Sequence, residues 1–176
     1  MKNLFIFLFF TTFIACNEPV ATKPKVPETD PYLAAEHQMG NAKIGMLKAD
    51  LLKFYPNLKE DTLAMEGELP AWTIADTDGK ILFWAAHEES DSITFLISEN
   101  PKMHTADGIK VGSSYADLQK VFPDLTISYV EGLRAYSKAK SMGFGILGDV
   151  ETKEKGDGEM QIVKVKQGTV QTLEFQ

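Results

Sequence analysis

Cysteine is almost missing from this chain: one occurs in 176 residues, at position 16. A single thiol excludes an internal disulfide framework and any zinc site built on paired cysteines. Positive charge is also short, with 18 Lys and Arg against 25 Asp and Glu and a net charge of -7. A field of that sign repels phosphate backbones, so nucleic acid is excluded as a partner. The apolar run Leu4 to Phe10, LFIFLFF, is too short to serve comfortably as a permanent membrane span. The three histidines, His37, His87 and His104, lie far apart and fit no metal-ligand spacing, so no metal is expected. What is present is a hydrophobic fraction of 44%, enough for one compact domain or for two half-domains sharing a core.

The amino end differs from the rest. Met1-Lys2-Asn3 is a short positive start, the apolar run follows, and Phe13-Ile14-Ala15-Cys16 sets a small residue before the lone cysteine. The pattern is that of a secretory signal, residues 1–15, closed by a segment resembling a bacterial lipobox in which Cys16 becomes the lipidated first residue. Phe13 stands where leucine is commonest in such boxes. Acyl chains on Cys16 would hold the protein on a membrane, each buried methylene contributing about 0.8 kcal/mol. Residues 16–39 carry Pro19, Pro24, Pro27 and Pro31, half of the eight prolines, and read as an extended tether. Residues 40–176 are left as one globular domain.

That domain repeats itself. Aligned without gaps, Lys43 to Leu58 and Lys110 to Leu125 share eight of sixteen positions, including Gly45/Gly112, Asp50/Asp117, Leu51/Leu118 and Pro56/Pro123. Each copy reads as a short extended piece, a glycine turn and a helix of about two turns stopped by proline. Leu47, Leu51 and Phe54, and likewise Leu118, Val121 and Phe122, fall at helical spacing on one face. Ser113 has the chemistry of an N-cap, whereas Met46 in the first copy does not.

Strand patterns follow each helix. They cover Leu63 to Gly67, Ala71 to Asp76, Lys80 to Ala86 and Ser92 to Ser98 in the first half, with Thr77-Asp78-Gly79 as a hairpin turn. In the second half they cover Thr126 to Glu131, Leu133 to Ala139, Met142 to Gly148, Glu159 to Lys166 and Thr169 to Phe175. The expected fold is therefore α+β: two tandem helix-plus-antiparallel-strand repeats, residues 40–105 and 106–176, forming one sheet with both helices on one face. Duplication would complete a core that one repeat is too small to supply.

The segment SITFLISENPKMHTADGIKVGSSYADL, Ser92 to Leu118, runs from a strand through a polar link and an aspartate-glycine into a lysine-valine-glycine helix start. It resembles the central segment of a family of small sigma-E-regulated envelope lipoproteins of unknown function. The repeat layout is similar in kind to beta-lactamase-inhibitor-like tandem-repeat proteins and to outer-membrane assembly lipoproteins, which bind proteins. The resemblance implies an envelope location at the outer membrane or periplasmic face and an envelope protein as partner. It supplies no catalytic residues.

Candidates for chemistry are few. Gly143 to Gly148, GFGILG, has dinucleotide-fingerprint spacing, but a charged, glycine-containing loop follows where the fingerprint needs a helix, so no cofactor is expected. Asp76-Thr77-Asp78-Gly79 resembles part of a calcium loop but lacks the remaining ligands, and it reads as turn chemistry. His87 beside Glu88, and His104 near Asp107, form no recognisable setting with a nucleophile, and the chain is read as not an enzyme. Trp72 and Trp84 fall in strand patterns; core packing is the default for both, and an exposed one would be a protein-binding aromatic. The reading is a membrane-anchored binding or envelope-maintenance module. The alternative is a small-ligand-binding or hydrolytic domain with a pocket between sheet and helices.

Overall fold

A computed structural model of the chain describes residues 30–175, apart from 36, 66, 89–90, 130–131 and 155–159. The signal segment, Cys16 and most of the expected tether lie outside the described residues. Three short strands come first: β1 (Leu33–Ala35), β2 (Gln38–Met39) and β3 (Ala42–Lys43). Helix α1 (Lys48–Phe54) leads into β4 (Lys59–Met65), β5 (Gly67–Ala75), β6 (Ile81–His87) and β7 (Ile93–Ser98). The short β8 (His104–Thr105) and α2 (Tyr115–Val121) precede β9 (Leu125–Tyr129), β10 (Leu133–Ser137), β11 (Met142–Glu154) and β12 (Met160–Phe175).

The expected α+β class is overturned. The chain is mostly β, with an eight-stranded sheet ordered β4-β5-β6-β7-β12-β11-β10-β9 and a separate four-stranded sheet ordered β3-β2-β1-β8. Pro56 and Pro123 stop the helices at seven residues, and each buries a single side chain, Leu51 or Leu118. The inner face of the large sheet is not roofed by two helices. Its core side chains, among them Trp72, Phe83, Leu96, Phe144 and Phe175, share one cluster with Ala34, Met39 and Ala42 from the small sheet and with Met103 and Ile109. Strands of two or three residues are too short to show a period, which hides this layer from pattern reading.

The tether is also shorter than expected. Leu33–Ala35 and Gln38–Met39 are strands, and β1 sits inside the small sheet, antiparallel to β2 and parallel to β8. The prolines of this region end at Pro31, so nothing after it prevents pairing. The expected strands 159–166 and 169–175 are one strand, β12, paired along its length with β11.

Within the large sheet each half is a four-stranded antiparallel meander, and the two meet where β7 pairs with β12 at Leu96 to Ser98 and Leu173 to Phe175. Their local geometry matches closely. Gly45 N donates to the Ile93 carbonyl at 2.7 Å, and Gly112 N to that of Val170 at 2.8 Å. Both glycines have φ in the left-handed region, 81° and 93°, where a side chain is strained. Ile93 N donates to Met46 O and Val170 N to Ser113 O. A β-bulge falls between Ala86 and His87 in one half and between Gly145 and Ile146 in the other.

The helix caps sit one residue later than expected. Ser114 is the N-cap of α2, its Oγ accepting from Asp117 N at 3.1 Å, while the Ser113 hydroxyl accepts from Lys110 N. The equivalent cap of α1 is Leu47, which has no side-chain acceptor.

Candidate functional site

Strand registers sort the side chains of the large sheet. Trp72, Ile74, Phe83, Ala85 and Leu96 point to the inner core, and their neighbours Ala71, Thr73, Trp84, Ala86, Phe95 and Ile97 point to the outer face. Ala71, Ala86, Phe95 and Ile97 are nonetheless buried there, under Leu63, Met65, Leu69 and Trp84. An outer face with its own apolar cluster is unusual for a sheet expected to face water on that side.

The second half provides an internal control. Matching the meanders strand by strand puts Arg134 where the first half has Ala71, Gly145 where it has Ala86, Thr172 where it has Phe95 and Glu174 where it has Ile97. An apolar cluster is replaced by a charged network. Arg134 Nη1 donates to Glu174 Oε2 at 2.6 Å, Thr172 Oγ1 donates to Glu174 Oε1 at 2.6 Å, and Gly145 N donates to Thr172 Oγ1 at 2.9 Å. Glu174 is only 5% exposed, so its charge depends on Arg134 for compensation.

The network explains the glycine-rich segment. A Cβ on Gly143 would lie 3.3 Å from Glu174 Oε2, and one on Gly145 would run into Thr172 Oγ1. GFGILG is a strand whose glycines make room for a carboxylate on the next strand. It opens no helix.

The sheet curls so that β4 and β10 border one groove of about 410 Å³ on this outer face. Leu63, Met65 and Ile97 give it an apolar flank, Thr172, Glu174 and Arg134 a polar one, and Glu99 stands at its edge. Trp84 belongs to the same face, its Nε1 donating to Asp61 Oδ2 at 3.3 Å. Thr73 also donates to that oxygen, at 2.5 Å, and this bond is the largest cause holding the Asp61 carboxyl below its ordinary range.

Trp72 is not on that face. It is fully buried and stacks on His87 with ring centres 4.1 Å apart, which removes it from the expected binding aromatics. Around it lies a polar cluster: Lys48 pairs with Glu60, Lys48 Nζ stands 5.5 Å over the Trp72 ring, and His87 Nε2 is 3.9 Å from Glu60 Oε2. Lys48 holds the Glu60 carboxyl below its ordinary range, and Glu60 raises the Lys48 amine. The second half has Tyr115, Ile127, Ala135 and Ile146 at these positions, so the frame itself does not require charge there.

The other expected features separate. His104 Nε2, on the small sheet, lies 3.4 Å from Asp30 Oδ2, and the His37 and Phe175 ring centres are 6.3 Å apart. Among the described residues, no three His, Cys, Asp or Glu side chains gather as a metal site. Asp76 Oδ1 accepts from Asp78 N and Lys80 N, both at 2.9 Å, which is turn chemistry. A depression of about 400 Å³ lies between the end of α1 and this turn, but Asp76, its acidic group, is committed to the turn amides and to Lys102 at 3.6 Å. Among the described residues no helix is long and apolar enough to cross a membrane.

No family model matches the chain, and no curated protein does. Among solved structures, the crystal structure of the uncharacterized protein yfeY from Escherichia coli is similar, with a TM-score of 0.52 and 10% identity over 82% of this chain and 97% of that one. The fold is thus one that a bacterial protein also adopts. At that identity the likeness is one of fold alone.

Proposed function

We propose that the protein is a lipid-anchored, non-catalytic binding module of the bacterial envelope, at the outer membrane or periplasmic face, which holds a segment of an envelope protein on the outer face of its eight-stranded sheet. The groove between β4 and β10 carries the reading. An apolar flank of Leu63, Met65 and Ile97 beside the Arg134–Glu174 pair gives both contact area and orientation, the combination that binding surfaces use. Trp84 and the exposed Tyr136 on the same face add aromatic area. Support for the anchor comes from Cys16 at the end of the apolar leader.

A non-catalytic role is supported by how the charged groups are spent: Glu174 is tied to Arg134 and Thr172, and Asp61 to Thr73 and Trp84. The test places a photoreactive residue at Met65 in the exported full chain and, as a control, at Lys138 on the β10–β11 turn. Illumination of whole cells should give a discrete adduct from position 65 and none from 138. Equal labelling at both, or none at 65, overturns the groove reading. Cys16→Ala should move the protein out of the membrane fraction; retention there overturns the anchor separately.

A further inference from the structure

We propose that the protein pairs with a second copy of itself through β9, edge to edge and antiparallel, joining two eight-stranded sheets into one. Strand β9 ends the large sheet and has β10 as its only strand partner among the described residues. A strand edge with unpaired amides and carbonyls is a template for another strand unless something blunts it. The opposite edge, β4, is blunted: Lys59, Glu60 and Asp61 put three consecutive charges on it. At the equivalent positions β9 has Thr126, Ile127 and Ser128. One edge of this duplicated frame is guarded by charge and the other is left neutral.

The chemistry of β9 selects a copy of itself as occupant. Its sequence, Leu125-Thr126-Ile127-Ser128-Tyr129, alternates apolar and polar symmetrically about Ile127. Antiparallel pairing with Ile127 opposite its own counterpart sets Leu125 against Tyr129 and Thr126 against Ser128. Apolar side chains then meet on the inner side and hydroxyls on the outer side, with no charge unpaired. Such an interface is isologous and closes at two copies, as a two-fold dimer requires. Tyr129 is 68% exposed and Thr126 and Ser128 are exposed, so the residues that would pair stand open. The net charge of -7 per chain opposes association at long range, but none of it lies on this strand.

The experiment co-produces two differently tagged full-length chains, with p-benzoylphenylalanine replacing Tyr129 in one. Illumination should yield a covalent product carrying both tags. T126K with S128K in both chains sets like charges opposite each other at exposed positions, and the product should fall about tenfold, as two repulsive cross-strand pairs imply. Limited proteolysis of this variant should match the parent, showing that the monomer still folds. Combining it with a partner chain bearing T126E and S128E should restore the product, an effect that local unfolding would not give. The proposal is overturned if no doubly tagged product forms, if position 129 labels only other proteins, or if T126K with S128K cross-links as well as the parent.

Discussion

Gly145 has no side chain because Thr172 and Glu174 occupy the space one would fill, so Gly145→Ala must push Thr172 Oγ1 off both Gly145 N and Glu174. The expected loss is about 1–3 kcal/mol in denaturant unfolding, the range for overpacking a tight site. Because Thr172 is the group displaced, G145A and T172A should combine to less than the sum of their separate losses; additive losses would show that the two do not share one network. Acid sensitivity belongs to this scale as well. Asp124 accepts from Ala139 N at 2.9 Å and from Ser137 Oγ at 2.9 Å, and these bonds, the backbone one first, hold its carboxyl below the ordinary range. A lowered folded-state value means that the stabilisation is complete above the unfolded-chain value and is lost as pH falls through the lowered one. Thermal midpoints of the parent should therefore drop on acidification, and Asp124→Asn should flatten that drop; an unchanged slope would show that Asp124 makes no linked contribution.

The two helices are a matched pair in which one lacks a part, and this predicts how each responds to mutation. Ser114 caps α2 and Leu47 occupies the same place in α1 with 51% of its surface exposed. Ser114→Ala should cost about 1 kcal/mol, whereas Leu47→Ser should gain up to about 1 kcal/mol by giving Asp50 N an acceptor. A loss at both positions, measured by chemical denaturation, would mean that Leu47 is held by packing that its exposure conceals. The elements that the sequence made legible are those with a period: Leu51 and Leu118 announced the helices, Gly45 and Gly112 their entry turns, and Asp76 to Gly79 a hairpin. Strands β1, β2, β3 and β8 carry two or three residues each and have no period to read, so the pattern does not show the layer they build and points to α+β instead. The outer-face network was legible only in part. The alternation of Thr172 and Glu174 with Leu173 and Phe175 marks a strand with a polar side, but Arg134 lies 40 positions away and only the register of β10, β11 and β12 brings it to Glu174. Trp84 was separable from Trp72 only once the pleat assigned them to opposite faces.

At the scale of the whole molecule the question is what makes two meanders one protein. They share a short seam, three residue pairs between β7 and β12, and a single core that draws on both. A second junction lies in the small sheet, where β1 bonds to β2 at the start of the first half and to β8 before the second, with Ala34 fully buried and in register with Met39 and Thr105. A strand so placed is a clasp across the duplication, and it comes from a segment whose preceding prolines made it look like linker. Proline at position 34 would remove a ladder donor from a strand bonded on both sides and leave its buried acceptor unpaired, at a cost of about 3 kcal/mol, the upper end for an unsatisfied buried group. For a chain of this size that corresponds to a fall of roughly 6–12 °C in the thermal midpoint. Because Leu51 and Leu118 lie in one core cluster, the destabilised protein should still melt in one step, with calorimetric and van't Hoff enthalpies in agreement. Two resolved transitions in Ala34→Pro would instead mean that each meander is stable alone and that β1, not the shared core, is what couples them.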